Sequence, residues 1–191
     1  MLSAGQLWAM GQTRCVFSAR ARLLIAALVL VAAKLPAQSM ISSRFRDPDG
    51  ITADPTGLRR DTTVRVIPPG PRIPRGKEGI TATPVVAYVI DTTGRVELET
   101  ASFLTSSPAE FIDAVCAFLP KQRFEPFLVA DRKSRVLLVQ FFGFNNWMHF
   151  DRAKIDAAQA LVTQSQEEFS TSPISKVVAR LDPLPHCGGT R

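Results

Sequence analysis

The sequence predicts an α+β domain of two layers: a three-stranded antiparallel sheet packed by one helix, followed by an extra C-terminal helix. Three observations carry this. A six-residue apolar run, Val85 to Ile90 (VVAYVI), is followed by a turn and then an alternating segment. Phe111, Ala114, Val115, Phe118 and Leu119 recur at helical spacing. A third run, Arg135 to Phe144 (RVLLVQFFGF), is rich in β-branched and aromatic residues. A hairpin, a crossing helix and a third strand bury one another's apolar faces in two layers around a single core.

The unbroken apolar run fits a strand placed centrally in the sheet. Asp91-Thr92-Thr93-Gly94 closes it, with Gly94 free to adopt the left-handed conformation a short hairpin loop needs. From Arg95 the pattern alternates, Val96 and Leu98 on one face and Glu97 and Glu99 on the other, as in a half-buried strand running to Phe103. Ser107 is placed to cap the next helix, with Pro108 at its first position and Glu110 completing a capping box. Pro120 ends that helix or bends its last turn. Asp131-Arg132-Lys133 turns the chain into the third strand. Beyond Asn145, Asp151 to Glu168 reads as a second helix with a weak stripe of Ile155, Ala158, Leu161 and Val162. The tail from Pro183 reads as loose apart from Cys187.

The N-terminal part has a different character. Leu23 to Ala33 (LLIAALVLVAA) is apolar but too short for a membrane span, which needs roughly 20 residues. Basic residues before it and Pro36-Ala37-Gln38 after it are the order of a secretory signal peptide, with cleavage expected after Ala37. The alternative is an uncleaved signal anchor in the inner membrane, the one case in which this chain would contact a membrane. Residues 38–70 read as a linker, broken by Asp47-Pro48-Asp49-Gly50, Asp54-Pro55 and Pro68-Pro69-Gly70, with one strand-like run from Thr62 to Ile67.

Charge follows the same division. The chain carries a net +6 over 191 residues. Setting aside Arg14, Arg20, Arg22 and Lys34 of residues 1–37 leaves 19 basic and 17 acidic groups, a net of +2. With no basic stripe in residues 71–145, a nucleic-acid partner is not expected. Export would leave Cys116 and Cys187, a pair that an oxidising compartment can join into a disulfide. Such a bridge closes a loop of about 70 residues and adds roughly 4 kcal/mol in the chain-entropy model. Cys116 also reads simply as a small residue of the helix.

Val89 to Glu97 (VIDTTGRVE), Phe111 to Leu119 (FIDAVCAFL), Gln122 to Phe127 (QRFEPF) and the closing run RVLLVQFFGF, taken in order, resemble the C-terminal domain of TonB over about residues 71–145. Asp91, Gly94, Arg123, Phe124, Glu125 and Pro126 are the motif positions, read as architecture: Phe124 packs under the helix end and Pro126 turns the chain towards the last strand. Three positions depart from the pattern. Gln122 stands where a tryptophan is usual, Ile73-Pro74 replaces a Tyr-Pro step, and Ala130 to Lys133 lacks the expected glycine.

The resemblance implies strand addition. Such domains bind the TonB box, a short extended peptide of outer-membrane receptors, beside the sheet. The partner would be such a peptide or another envelope protein. Carried over, the edge is Arg135, Val136, Leu137, Leu138, Val139, Gln140, Phe141 and Phe142, unless the C-terminal helix covers it. A TonB energy transducer also has an inner-membrane helix carrying a histidine and a long Pro-rich spacer. This sequence shows neither pattern, so the expectation is a periplasmic module that binds without transmitting force. A structural protein that keeps the fold, or a short signal-anchored transducer, are the alternatives.

No nucleophile elbow, zinc-binding His-Glu-x-x-His, phosphate loop or dinucleotide fingerprint occurs. His149 and His186 lie far apart without acidic or cysteine ligands at metal spacing. The expectation is therefore no enzyme activity, no cofactor and no metal.

Overall fold

A computed structural model of the chain describes residues 44–61, 70–145 and 151–188. The predicted signal segment and the run from Thr62 to Ile67 lie outside them. The main sheet has four strands in the order β1 (Ile51–Thr52), β6 (Arg135–Phe141), β2 (Val85–Ile90), β3 (Val96–Phe103). β2 pairs antiparallel with both β3 and β6, while β1 runs parallel to β6. The α+β class stands, but the sheet is mixed and four-stranded rather than three-stranded and antiparallel.

β2 explains the layering. Val86, Tyr88 and Ile90 face one apolar cluster, and Val85, Ala87 and Val89 face another. Every β2 side chain is fully buried, which is why its sequence shows no polar alternation. The first face is covered by α1 (Ala109–Phe118), through Phe111, Val115, Phe118 and the following Leu119. Phe111 meets Phe144 and Phe118 meets Phe142 edge-on, with ring centroids 4.9 and 5.8 Å apart. The second face is covered by α2 (Arg152–Thr171) and α3 (Ile174–Leu181), through Ala158, Phe169, Val177, Val178 and Leu181. Three layers replace the two that were expected. The reason is that the C-terminal helices are a wall of the core and not an appendage.

The hairpin turn holds itself. Asp91 Oδ1 accepts from the Thr93 amide (2.7 Å), the Thr93 hydroxyl (2.7 Å) and the Arg95 amide (2.9 Å). Burial works against the Asp91 charge, but the hydrogen bonds from Arg95 and Thr93 outweigh it and hold the carboxyl below its usual range. Gly94 has φ +82°, and its carbonyl accepts from the Phe124 amide at 2.9 Å. The two motif segments, remote in sequence, thus form one joint. The Arg123 side chain folds back on the turn just before it, donating to the carbonyls of Pro120 and Gln122 at 2.7 Å each.

Further along β3 the register shifts between Ala87 and Val89. Buried Thr100 mends the gap, its hydroxyl accepting from Val89 N–H (2.8 Å) and donating to Glu97 C=O (2.6 Å). The bulge also rephases the strand: Val96 and Leu98 before it, and Ala101 and Phe103 after it, share the α1 face.

Other details correct the sequence reading. α1 begins at Ala109 with Pro108 as its cap and no side-chain cap hydrogen bond, so Ser107 does not cap it. The chain continues past Pro120 as a 3₁₀ turn, Leu119–Lys121. Residues 44–61, expected as linker, are built into the fold. Their breakers make specific turns: Asp47 at φ 56° leads into a 3₁₀ turn over Pro48–Gly50, which delivers Phe45 and Ile51 into the second cluster. Nor is the described part of the tail, residues 183–188, loose. Phe103 N–H donates to Pro185 C=O (2.8 Å) and Cys187 N–H to Ala101 C=O (3.1 Å), and Cys187 is disulfide-bonded to Cys116 of α1. Between α1 and β6, β4 (Leu128–Val129) and β5 (Arg132–Lys133) form a small hairpin. Its two turn residues, Ala130 (φ 49°) and Asp131 (φ 62°), sit where glycine is favoured, a conformation costing about 1 kcal/mol or more each. Among the described residues no helix is long and apolar enough to cross a membrane.

Two outcomes follow for stability. A Cβ on Gly94 would lie 1.9 Å from the Phe124 carbonyl oxygen. Gly94→Ala should therefore destabilise by more than about 2 kcal/mol in denaturant unfolding, the left-handed cost plus the displacement of a backbone carbonyl. Wild-type stability in that variant would contradict the joint. The disulfide spans 71 positions. Replacing both cysteines by serine should cost about 4 kcal/mol in the chain-entropy model. An unchanged unfolding midpoint would show that the bridge does not restrict the unfolded chain.

Candidate functional site

The strand marked by sequence as a binding edge is β6, so the site is its outer side. Phe142 N–H donates to Pro84 C=O at 2.9 Å. By alternation, the even residues of β6 turn their backbone groups to β2, and Arg135, Leu137, Val139 and Phe141 turn theirs away. Those outward groups need partners, since unpaired backbone polar groups are costly away from water.

The chain itself supplies them. Ile51 pairs with Arg135 and Thr52 with Val136. β1 then stops because Asp54-Pro55 turns the chain: Asp54 Oδ1 accepts from Thr56 N–H at 2.9 Å and from its hydroxyl, and Pro55 has no amide hydrogen to offer. Where the strand ends, a side chain takes over. Gln166 of α2 accepts from Val139 N–H through Oε1 (2.8 Å), and its Nε2 donates to Leu137 C=O (3.4 Å) and Ala53 C=O (2.5 Å). The Ser170 hydroxyl also donates to Ala53 C=O, at 2.8 Å. β6 is therefore not an open edge: β1 and Gln166 of α2, the C-terminal helix expected as the alternative cover, occupy its outer side.

Arg135 seats this arrangement. Its guanidinium grips Glu97 of β3 with both arms, Nε to Oε1 at 2.7 Å and Nη2 to Oε2 at 2.5 Å. Its Nη1 donates to the carbonyls of Arg46 and Asp47, the latter at 3.0 Å, just ahead of β1. The pair is mostly buried, with 14% and 18% of the two side chains exposed.

The inner face of β6 carries a polar group of its own. The Tyr88 hydroxyl donates to Gln140 Oε1 at 2.6 Å. Burial pushes the Tyr88 pKa well up; the Arg60 charge and nearby Gln122 oppose that rise. Gln122 is itself buried, and neither atom of its carboxamide makes a hydrogen bond of ordinary geometry. It occupies the position where the resemblance leads one to expect tryptophan.

Of the eight predicted edge residues, Val136, Leu138 and Phe142 pack towards α1, while Leu137, Val139 and Phe141 pack towards α2 and α3. Arg135 and Gln140 make the polar contacts just described. Phe124 is core; Glu125 and Pro126 are exposed and line a shallow groove of about 220 Å³ with Thr56 to Arg59 and Leu128. No three His, Cys, Asp or Glu side chains among the described residues are grouped to hold a metal ion. Sequence reasoning missed Gln166, Ile51 and Thr52. Only Asp54-Pro55, as a strand terminator, hinted at them. Comparison with family models, with curated proteins and with solved structures finds no match to this chain.

The seat is testable. Arg135→Met keeps the apolar stem but strands Glu97 and frees the Arg46 and Asp47 carbonyls. The variant should lose about 2 kcal/mol, with faster amide exchange at Ile51 and Thr52 than at β2. Unchanged exchange at Ile51 and Thr52 would remove Arg135 from the seating of β1.

Proposed function

We propose that this chain is an exported cell-envelope protein whose residues 71–145 are a diverged TonB C-terminal-like domain. It binds an extended peptide of an outer-membrane transport partner by strand addition at β6, in TonB-dependent transmembrane transport, without transmitting force itself. The order hairpin, helix, third strand, with β6 beside β2, supports the family reading. The observation that carries the binding reading is the pairing of Ile51–Thr52 with Arg135–Val136. A segment from far back in the chain is already added to β6 as a strand, so this edge accepts extended backbone. The Cys116–Cys187 bond fits a periplasmic setting, since disulfides persist in oxidising compartments.

A second reading has its own support. The β3 edge is also occupied, by Pro185 to Cys187. A protein that closes both edges with its own chain could be a structural envelope protein that keeps the fold without a strand-adding partner. Titration with a receptor-derived TonB-box peptide separates the two, with the amides of residues 135–144 followed by NMR. Strand addition predicts shifts concentrated at Leu137, Val139 and Phe141. No shift at millimolar peptide would favour the structural reading and sink strand addition.

A further inference from the structure

We infer that Gln166 is a gate on the β6 edge: its carboxamide stands in for a peptide group of an added strand and must swing away before a partner strand can pair. The inference rests on the strand-addition reading above. The register identifies the slot. With Ile51 opposite Arg135 and Thr52 opposite Val136, a continuing β1 would bring residue 54 opposite Leu138. In a parallel ladder that residue donates its N–H to Leu137 C=O and accepts from Val139 N–H. The chain turns out at Asp54-Pro55 instead, and Gln166 makes those same two bonds from the helix above.

A carboxamide is suited to this substitution because it carries an acceptor oxygen and two N–H donors on one planar group, as a backbone peptide carries one of each. The spare donor goes to Ala53 C=O, the last carbonyl before the turn, so one side chain also ties β1 to α2. A strand needs many residues in register to hold an edge, whereas this stretch is held by one rotatable side chain. An incoming peptide that bonds only from Leu137 C=O to Phe141 has to displace Gln166 alone, since the same ladder gives Leu137 N–H to Thr52 C=O. One that also covers Arg135 has to displace β1 as well.

The gate lowers peptide affinity by the hydrogen bonds it must give up, about tenfold for bonds of ordinary net strength. The test uses the full chain, a receptor-derived TonB-box peptide, and the same peptide with prolines at alternate positions, which cannot ladder. Gln166→Ala should bind the unmodified peptide about tenfold more tightly than wild type, with larger NMR shifts at Val139 and none from the proline peptide. Should Gln166→Ala fold poorly, Gln166→Met keeps the side-chain length but makes none of the three bonds, and should shift affinity in the same direction. Equal binding to wild type and variant would overturn the gate while leaving strand addition standing. Binding to neither, with Val139 exchanging faster in Gln166→Ala, would mean an edge that opens yet takes no strand. Strand addition would then fall and the gate with it.

Discussion

Every side chain of β2 is buried, and most of the remaining architecture follows from that constraint. A strand with apolar groups on both faces cannot sit in a sheet that shows one face to water. One layer of helix, α1, satisfies Val86, Tyr88 and Ile90. Val85, Ala87 and Val89 then require a second wall, which α2 and α3 provide with Phe45 and Ile51. The segment before the predicted domain and the segment after it are therefore needed by the same face of the same strand. This is why residues 44–61 belong to the fold despite their turn-rich composition.

Covering the faces leaves the edges. Each is closed by a short piece of the chain held by something other than strand length. On the β6 side, two residues of β1 are held by Arg135 and extended by Gln166. On the β3 side, Pro185 to Cys187 are held by the bond to Cys116. Two-residue ladders have little stability of their own, so side chains and a covalent link supply what backbone pairing lacks. An edge closed in this way remains chemically able to accept backbone, and the proposed function relies on that property.

Much of the fold was legible because its signals are local. The continuous apolar run of β2, the Asp91 to Gly94 turn and the stripe of α1 each depend on neighbours within a few residues. The Cys116–Cys187 pair was legible as an option, because only two cysteines follow residue 37. The edges were not legible. β1 is defined by pairing with a strand far along the chain, and two residues carry no period. Gln166 is an ordinary polar residue of a helix until the fold brings it over Leu137 and Val139. Thr100 breaks the alternation of β3, and the bulge it mends has no local marker. α3 was missed although Ile174, Val177, Val178 and Leu181 follow Pro173 at helical spacing, because the segment is short and abuts a tail rich in breakers.

The chain closes its own sheet at both edges. Native-state hydrogen exchange of the wild-type protein tests it most directly, at two amides that face away from the sheet: Val139 N–H, held by Gln166, and Phe103 N–H, held by Pro185. Closure at both edges predicts that both are protected by several orders of magnitude over an unstructured chain, with reduction of the disulfide lowering protection at Phe103 more than at Val139. Exchange of Val139 at the rate of a solvent-exposed amide in the oxidised native protein would contradict it.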